Sequence, residues 1–98
     1  MDLRLLSTAE GGRQGGIKSN YRCQWRWEPW PLGADDESYV DAAVVALEPE
    51  WCEPGHEALA ELEPVWAEFW SGVSVGQRLS AYEGRRRVAD AIVREVLP

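Results

Sequence analysis

Reactive and metal-binding side chains are scarce in this sequence of 98 residues. It contains one histidine, His56, and two cysteines, Cys23 and Cys52. Two cysteines make no disulfide framework, so both are expected to be free thiols in a reducing cytoplasm. Together with His56 they offer at most three metal ligands and no Cys-x-x-Cys pair, which argues against a structural zinc site. No metal or cofactor is therefore expected.

Catalytic arrangements are also missing. A lone histidine lacks the partners of a catalytic triad, and many carboxylates in an acidic chain do not indicate a paired acid and base. Residues 11–19 nearly match the sequence motif of a phosphate-binding loop, but Ile17 places Lys18 and Ser19 one position too late for that motif. No amphipathic helix follows, although the motif requires a helix N-terminus. A chain this short has little room for a deep substrate pocket. We therefore expect that the protein is not an enzyme.

Long hydrophobic runs are absent. No uncharged run approaches the roughly 18 residues that a membrane span requires. The first residues, Met1–Arg4, do not have the basic region followed by an apolar region that marks a secretory signal peptide, so no such signal is expected. At 11.0 kDa, residues 1–98 fit one domain. The apolar fraction of 45% and the charged fraction of 28% are ordinary for a globular domain, which we expect in the cytoplasm.

Basic residues are missing from the middle of the chain. Residues 27–77 carry twelve acidic side chains and no basic one, whereas residues 1–26 carry a net charge of +3 and residues 78–98 a net charge of +2, giving −7 in total. Such a chain repels nucleic acid at long range, yet its two ends are basic. If the ends meet, a basic face would oppose an acidic one. The alternative is that the acidic middle is simply a solvated face.

Alternating apolar and polar residues predict β-strands. The clearest pattern runs from Tyr21 to Glu28, where Cys23, Trp25 and Trp27 would share one buried side. Weaker signals predict further strands over residues 3–7, 38–47, 76–82 and 86–97, although the Ala42-Ala43 pair within 38–47 would also suit a helix.

Two segments carry other signals. Residues 57–63 are rich in alanine, leucine and glutamate, and propensity alone predicts a helix that ends at Pro64. Within residues 65–75, Trp66, Phe69 and Trp70 have the spacing of one short helical turn.

Two blocks of the sequence share a spaced pattern of glycine, arginine and aromatic residues. The first begins Glu10-Gly11-Gly12-Arg13 and continues, after seven intervening residues, as Tyr21-Arg22-x-Gln24-Trp25-Arg26-Trp27. The second is Gly76-x-Arg78-Leu79-x-x-x-Glu83-Gly84-x-Arg86-x-Val88, continuing to Val93 and Leu97. The two blocks resemble the C-terminal β-barrel of elongation factor Tu and its relatives, and they stand in the family's order at opposite ends of the chain.

The resemblance implies an all-β fold, a closed six-stranded antiparallel Greek-key barrel, in which residues 57–63 form a strand instead of a helix. In the family this barrel helps to hold the T-arm of aminoacyl-tRNA and contacts an exchange factor. The sequence departs from the family pattern at Cys23, where the family has proline, and at residues 89–91, where the family has glycines. Residues 66–75 look like an insertion.

Two groups of residues are candidates for binding. Arginines that match the family or neighbour such a match could form an RNA-facing strip: Arg13, Arg22, Arg78, Arg85, Arg86 and Arg87. Their alternative role is structural, as side chains that point into water or pair with Glu83. Tryptophans outside the strands suit a protein interface: Trp30, Trp51, Trp66 and Trp70. Their alternative role is to act as lids over the ends of a small barrel.

We therefore predict a non-catalytic module that binds a basic protein through an acidic, tryptophan-bearing surface. Such a partner could be a translation component, or a toxin that this chain neutralises as an immunity protein. Binding of tRNA or other RNA by a basic strip at the two chain ends is the alternative.

Overall fold

A computed structural model describes residues 1–96, which form eight β-strands and two short 3-10 turns. The strands are β1 (Asp2–Leu5), β2 (Ile17–Lys18), β3 (Tyr21–Arg26), β4 (Val40–Glu48), β5 (Trp51–Cys52), β6 (Glu57–Pro64), β7 (Arg78–Glu83) and β8 (Arg86–Ile92). The turns are Thr8–Glu10 and Ala67–Trp70. This part of the chain contains no α-helix, and hence no helix long and apolar enough to cross a membrane.

Six strands close into an antiparallel barrel in the order β1-β6-β4-β3-β7-β8, and β8 pairs back with β1. Three successive strands of the barrel, β3, β4 and β6, are neighbours, and the next strand of the barrel, β7, returns to lie beside β3, which is Greek-key order. Closure leaves the barrel without an open edge. The predicted six-stranded antiparallel barrel is confirmed. β2 and β5 form a separate two-stranded sheet that no sequence pattern indicated.

The segment that propensity assigns to a helix is strand β6. Ala58 and Ala60 are buried, whereas Glu57, Leu59 and Glu61 are exposed, so the period is two. β6 is paired with β1 on one side and β4 on the other. Two ladders and a buried face outweigh helix propensities of at most about 0.7 kcal/mol per residue. The helix prediction is wrong, and the strand expected in its place is confirmed.

The remaining predicted strands are present with shifted ends. β1 ends at Leu5, β4 begins at Val40, and β7 begins at Arg78. β8 ends at Ile92, five residues before the predicted end at Leu97, and Leu97 itself lies outside the described residues.

Small residues make room for tryptophan inside the barrel. Trp25 is fully buried and Trp27 nearly so, which confirms the inward side predicted for β3. A six-stranded barrel is narrow, so large side chains on one strand require small ones on the others. Those small residues are Ala42, Ala58, Ala60, Ala81, Ala89 and Ala91, all buried in the core.

Residues 65–75 cover one end of the barrel. The Trp70 ring centroid lies 4.6 Å from that of Trp27 and 6.5 Å from that of Trp25. Trp30 also packs against Trp27, with ring centroids 5.0 Å apart. The expected helical turn is present as the 3-10 turn Ala67–Trp70. This segment therefore adds to the core instead of extending into solvent.

Candidate binding surfaces

Local contacts fix the glycine-rich loop that follows β1. The Ser7 hydroxyl accepts a hydrogen bond from the Glu10 backbone N–H, and the Glu10 carboxylate accepts one from the Ser7 N–H, which is a capping box. Arg4 donates two further hydrogen bonds to Glu10, at 3.0 and 2.7 Å. A Cβ atom on Gly12 would lie 2.6 Å from the Leu6 carbonyl oxygen, so a larger residue does not fit there. These contacts give the loop a structural role.

The Glu10 contacts predict a pH-dependent stability. Hydrogen bonds from Arg4, and then from Ser7, lower the pKa of Glu10 to about 2. A pKa that is lower in the folded state stabilises the fold above the ordinary carboxyl pKa, and this stabilisation is lost as the pH falls toward the folded value. We expect Glu10→Gln to lower the urea midpoint of unfolding at pH 7. The difference in midpoint between the variant and the unchanged protein should become smaller between pH 4.5 and 2. A difference that stays constant over this range would contradict the prediction.

Arg13 joins the glycine-rich loop to the β7–β8 hairpin. Its guanidinium forms an ion pair with Glu83 and lies over the Tyr21 ring, with Cζ 5.0 Å from the ring centroid. The Tyr21 hydroxyl donates a hydrogen bond to the same carboxylate, and burial together with this bond raises the pKa of Tyr21. The positive charge of Arg13 is balanced within the fold. This placement favours the structural role of Arg13 over contact with phosphate.

The other candidate arginines lie on the outer side of β3, β7 and β8. Arg85 and Arg86 are exposed at the tip of the β7–β8 hairpin, and Arg87 is paired at 3.6 Å with an aspartate of its own strand. Arg78 lies at the opposite end of β7, about 20 Å along the strand from the tip, and Arg22 is exposed on β3. The arginines therefore spread over three strands instead of forming one compact patch.

Two of the four candidate tryptophans are well exposed. Trp51 is 50% and Trp66 is 57% exposed. Trp30 is only 4% exposed, because it packs on the core and donates a hydrogen bond to Asp36 at 3.1 Å. Trp30, predicted to lie on a binding surface, therefore presents almost no surface to a partner. Trp70 is half-buried. The lid role fits Trp30 and Trp70, and only the other two remain available to a partner.

The outer side of β6 carries a row of like charges. Glu57, Glu61 and Glu63 are exposed on it, with Leu59 between them at 57% exposure. These four residues are termed the acidic face. On β4, alanines stand opposite both Glu61 and Glu63, so no basic side chain faces either carboxylate across that pair of strands. Trp66 is exposed two residues beyond the end of β6.

The barrel separates charge between opposite sides. Within residues 1–96 the ion pairs are Arg4–Glu10, Arg13–Glu83, Arg87–Asp90 and Arg94–Asp2. None of them uses an acidic residue between positions 27 and 77. In the closed strand order, the acidic strand β6 lies across the barrel from β7, which begins the arginine-bearing hairpin. β6 thus lies across the barrel from the arginine-bearing hairpin, but its neighbour β1 carries Arg4 opposite Glu57, so the separation of charge is partial.

The cysteines are not poised for chemistry. Both are free and buried, in β3 and β5. Burial raises the pKa of Cys23 to about 12 and also raises that of Cys52, which keeps both as thiols. Among residues 1–96, no three histidine, cysteine, aspartate or glutamate side chains are grouped so that they could hold a metal ion.

Sequence comparisons with known protein families and with curated proteins found no match to this chain.

Proposed function

We propose that the protein is a non-catalytic binding module that holds a basic protein partner on the acidic face. One observation carries the proposal: Glu57, Glu61 and Glu63 share one exposed side of β6 and form no salt bridge within residues 1–96. Glu61 and Glu63 lie about 7 Å apart along the strand and repel each other, whereas Glu57 stands opposite Arg4 of β1, whose guanidinium is bonded to Glu10. A cationic partner relieves that repulsion.

Apolar contacts accompany these charges. Leu59 lies among the carboxylates, and Val65 and Trp66 are exposed where the chain leaves β6. Protein interfaces combine such an apolar centre with a polar rim, and tryptophan is enriched among the residues that dominate binding energy. The acidic middle of the chain would also speed the approach of a basic partner.

Charge reversal on β6 tests the proposal. The probe is a peptide of four lysines with a central glycine. Its binding is measured by fluorescence anisotropy and by changes in the amide chemical shifts of β6. We expect the triple variant Glu57→Lys, Glu61→Lys, Glu63→Lys to weaken binding about tenfold or more at low salt, because it replaces the attracting charges. The matched control is the triple variant Asp35→Lys, Glu37→Lys, Glu95→Lys, which changes net charge equally. Equal losses in the two triples would contradict a localised site.

Binding of RNA is a second candidate. Arg22, Arg78, Arg85 and Arg86 are exposed and form no ion pair within residues 1–96, and the two sequence blocks resemble the barrel of elongation factor Tu. A titration against bulk aminoacyl-tRNA at low and at about 0.15 M salt tests it. Binding that persists at the higher salt, and is abolished by changing Arg85–Arg87 to glutamate, would favour this function over the first.

A further inference from the structure

An apolar groove lies at the end of the barrel that the tryptophans cover. Two chain segments line it, residues 27–31 with Trp27, Pro29 and Pro31, and residues 68–72 with Glu68 and Phe69. Its volume is about 420 Å³, enough for one or two side chains, and it is open to solvent.

The groove is preformed, because a tryptophan within each of these two segments packs against Trp27. Trp30 supports the 29–31 wall, with ring centroids 5.0 Å apart, and Trp70 supports the 67–70 wall at 4.6 Å. The Gln77 side chain, which also lines the groove, donates a hydrogen bond to the Glu28 carbonyl oxygen at 3.0 Å. A preformed site loses little conformational entropy when it binds a partner.

Charge around the groove is uneven. Glu68 lines the groove, is exposed and forms no salt bridge within residues 1–96. Arg26 and Arg78 line a neighbouring groove together with Glu28, and Gln77 lines both grooves. The groove therefore has an anionic side at Glu68, and the arginines lie beyond Gln77.

We propose that this groove receives one apolar side chain, such as leucine, from a lysine- or arginine-rich segment of a protein partner. The apolar side chain removes the groove lining from water, and a flanking cation faces Glu68. The inference rests on the proposed function and adds an anchor to it. The exposed Trp66 leads from the end of β6 directly into the turn Ala67–Trp70, so the acidic face and the groove adjoin along one segment.

Two peptides separate the anchor from the charge. One has four lysines around a central leucine, and the other has the same lysines around a central glycine. We expect the leucine peptide to bind about tenfold more tightly, which corresponds to partial burial of one leucine. In spectra of ¹⁵N-labelled protein, only the leucine peptide should shift the indole N–H resonance of Trp27, whereas both peptides should shift the backbone amides of β6.

Two matched variants test whether the leucine side chain binds in the groove. Ser71→Trp fills the groove from an exposed lining position, and Ala67→Trp places the same ring on an exposed position of the same segment that does not line the groove. We expect the first variant to remove the tenfold advantage of leucine and the second to keep it. Equal affinity of the two peptides, or an advantage that survives Ser71→Trp, would overturn the groove proposal.

The two proposals fail differently. If the glycine peptide binds on β6 and leucine adds nothing, the groove proposal is wrong while the acidic face stands. If the glycine peptide does not bind, but the leucine peptide still moves the Trp27 resonance and is blocked by Ser71→Trp, the acidic face is wrong while the groove stands. If neither peptide binds, both are wrong.

Discussion

Replacement of Trp25 by alanine is expected to lower the free energy of unfolding by about 3–5 kcal/mol. Trp25 lies on β3, is 0% exposed and contacts Trp70 edge to face inside the barrel. Its removal takes away a large buried area and leaves a cavity among strands that cannot collapse, because hydrogen bonding around the closed barrel fixes their spacing. Natural domains are stable by only about 5–15 kcal/mol, so the variant would be close to unfolding.

Urea denaturation followed by tryptophan fluorescence and circular dichroism measures this loss. Trp66→Ala is the matched control, because it makes the same chemical change at a position that is 57% exposed. We expect the control to change stability by no more than about 0.5 kcal/mol. Similar losses in the two variants would mean that Trp25 is not the centre of the core. Trp25→Phe should cost less than alanine, because it keeps an aromatic ring and removes an indole N–H that has no hydrogen-bond partner among residues 1–96.

The fold could be predicted where the local pattern and the tertiary environment agree. In β3 the period of two is strong, and the inward side of Trp25 and Trp27 follows from it. In β6 the local preference for helix opposes the pairing with β1 and β4, and such pairing depends on distant parts of the chain. β2 and β5 have two residues each, too few for any periodic signal.

The binding surfaces were less predictable, because exposure and pairing depend on long-range contacts. Trp30 stands between two prolines, as a loop residue would, and only its packing on Trp27 shows that it is buried. Arg13 belongs to a basic segment in the sequence, yet Glu83, seventy positions away, balances its charge. The acidic character of β6 is visible in the sequence, but the common side of its glutamates is defined only once the segment is known to be a strand.

Removal of Glu83 is expected to lower the free energy of unfolding by about 2 kcal/mol. Glu83→Ala leaves the Arg13 guanidinium and the Tyr21 hydroxyl without their shared acceptor. Hydrogen bonds to charged groups contribute about 1.5–3 kcal/mol to stability. The side chains of this pair are 27% exposed for Arg13 and 36% exposed for Glu83, and solvent screening lowers the contribution of the ion pair. Glu83→Gln should cost less, because its amide oxygen can still accept from Tyr21.

A double-mutant cycle over Arg13→Ala and Glu83→Ala, measured by urea denaturation, isolates the pair, and we expect a coupling of about 1 kcal/mol. The matched cycle is Arg87→Ala with Asp90→Ala, where the side chains are 53% and 41% exposed and 3.6 Å apart, and its coupling should fall below about 0.5 kcal/mol. A strong first coupling would make Arg13 part of the scaffold, so loss of tRNA binding in an Arg13 variant would then reflect stability. No coupling would instead leave Arg13 available to phosphate, and Arg13 would then remain one of the six candidate RNA-binding arginines.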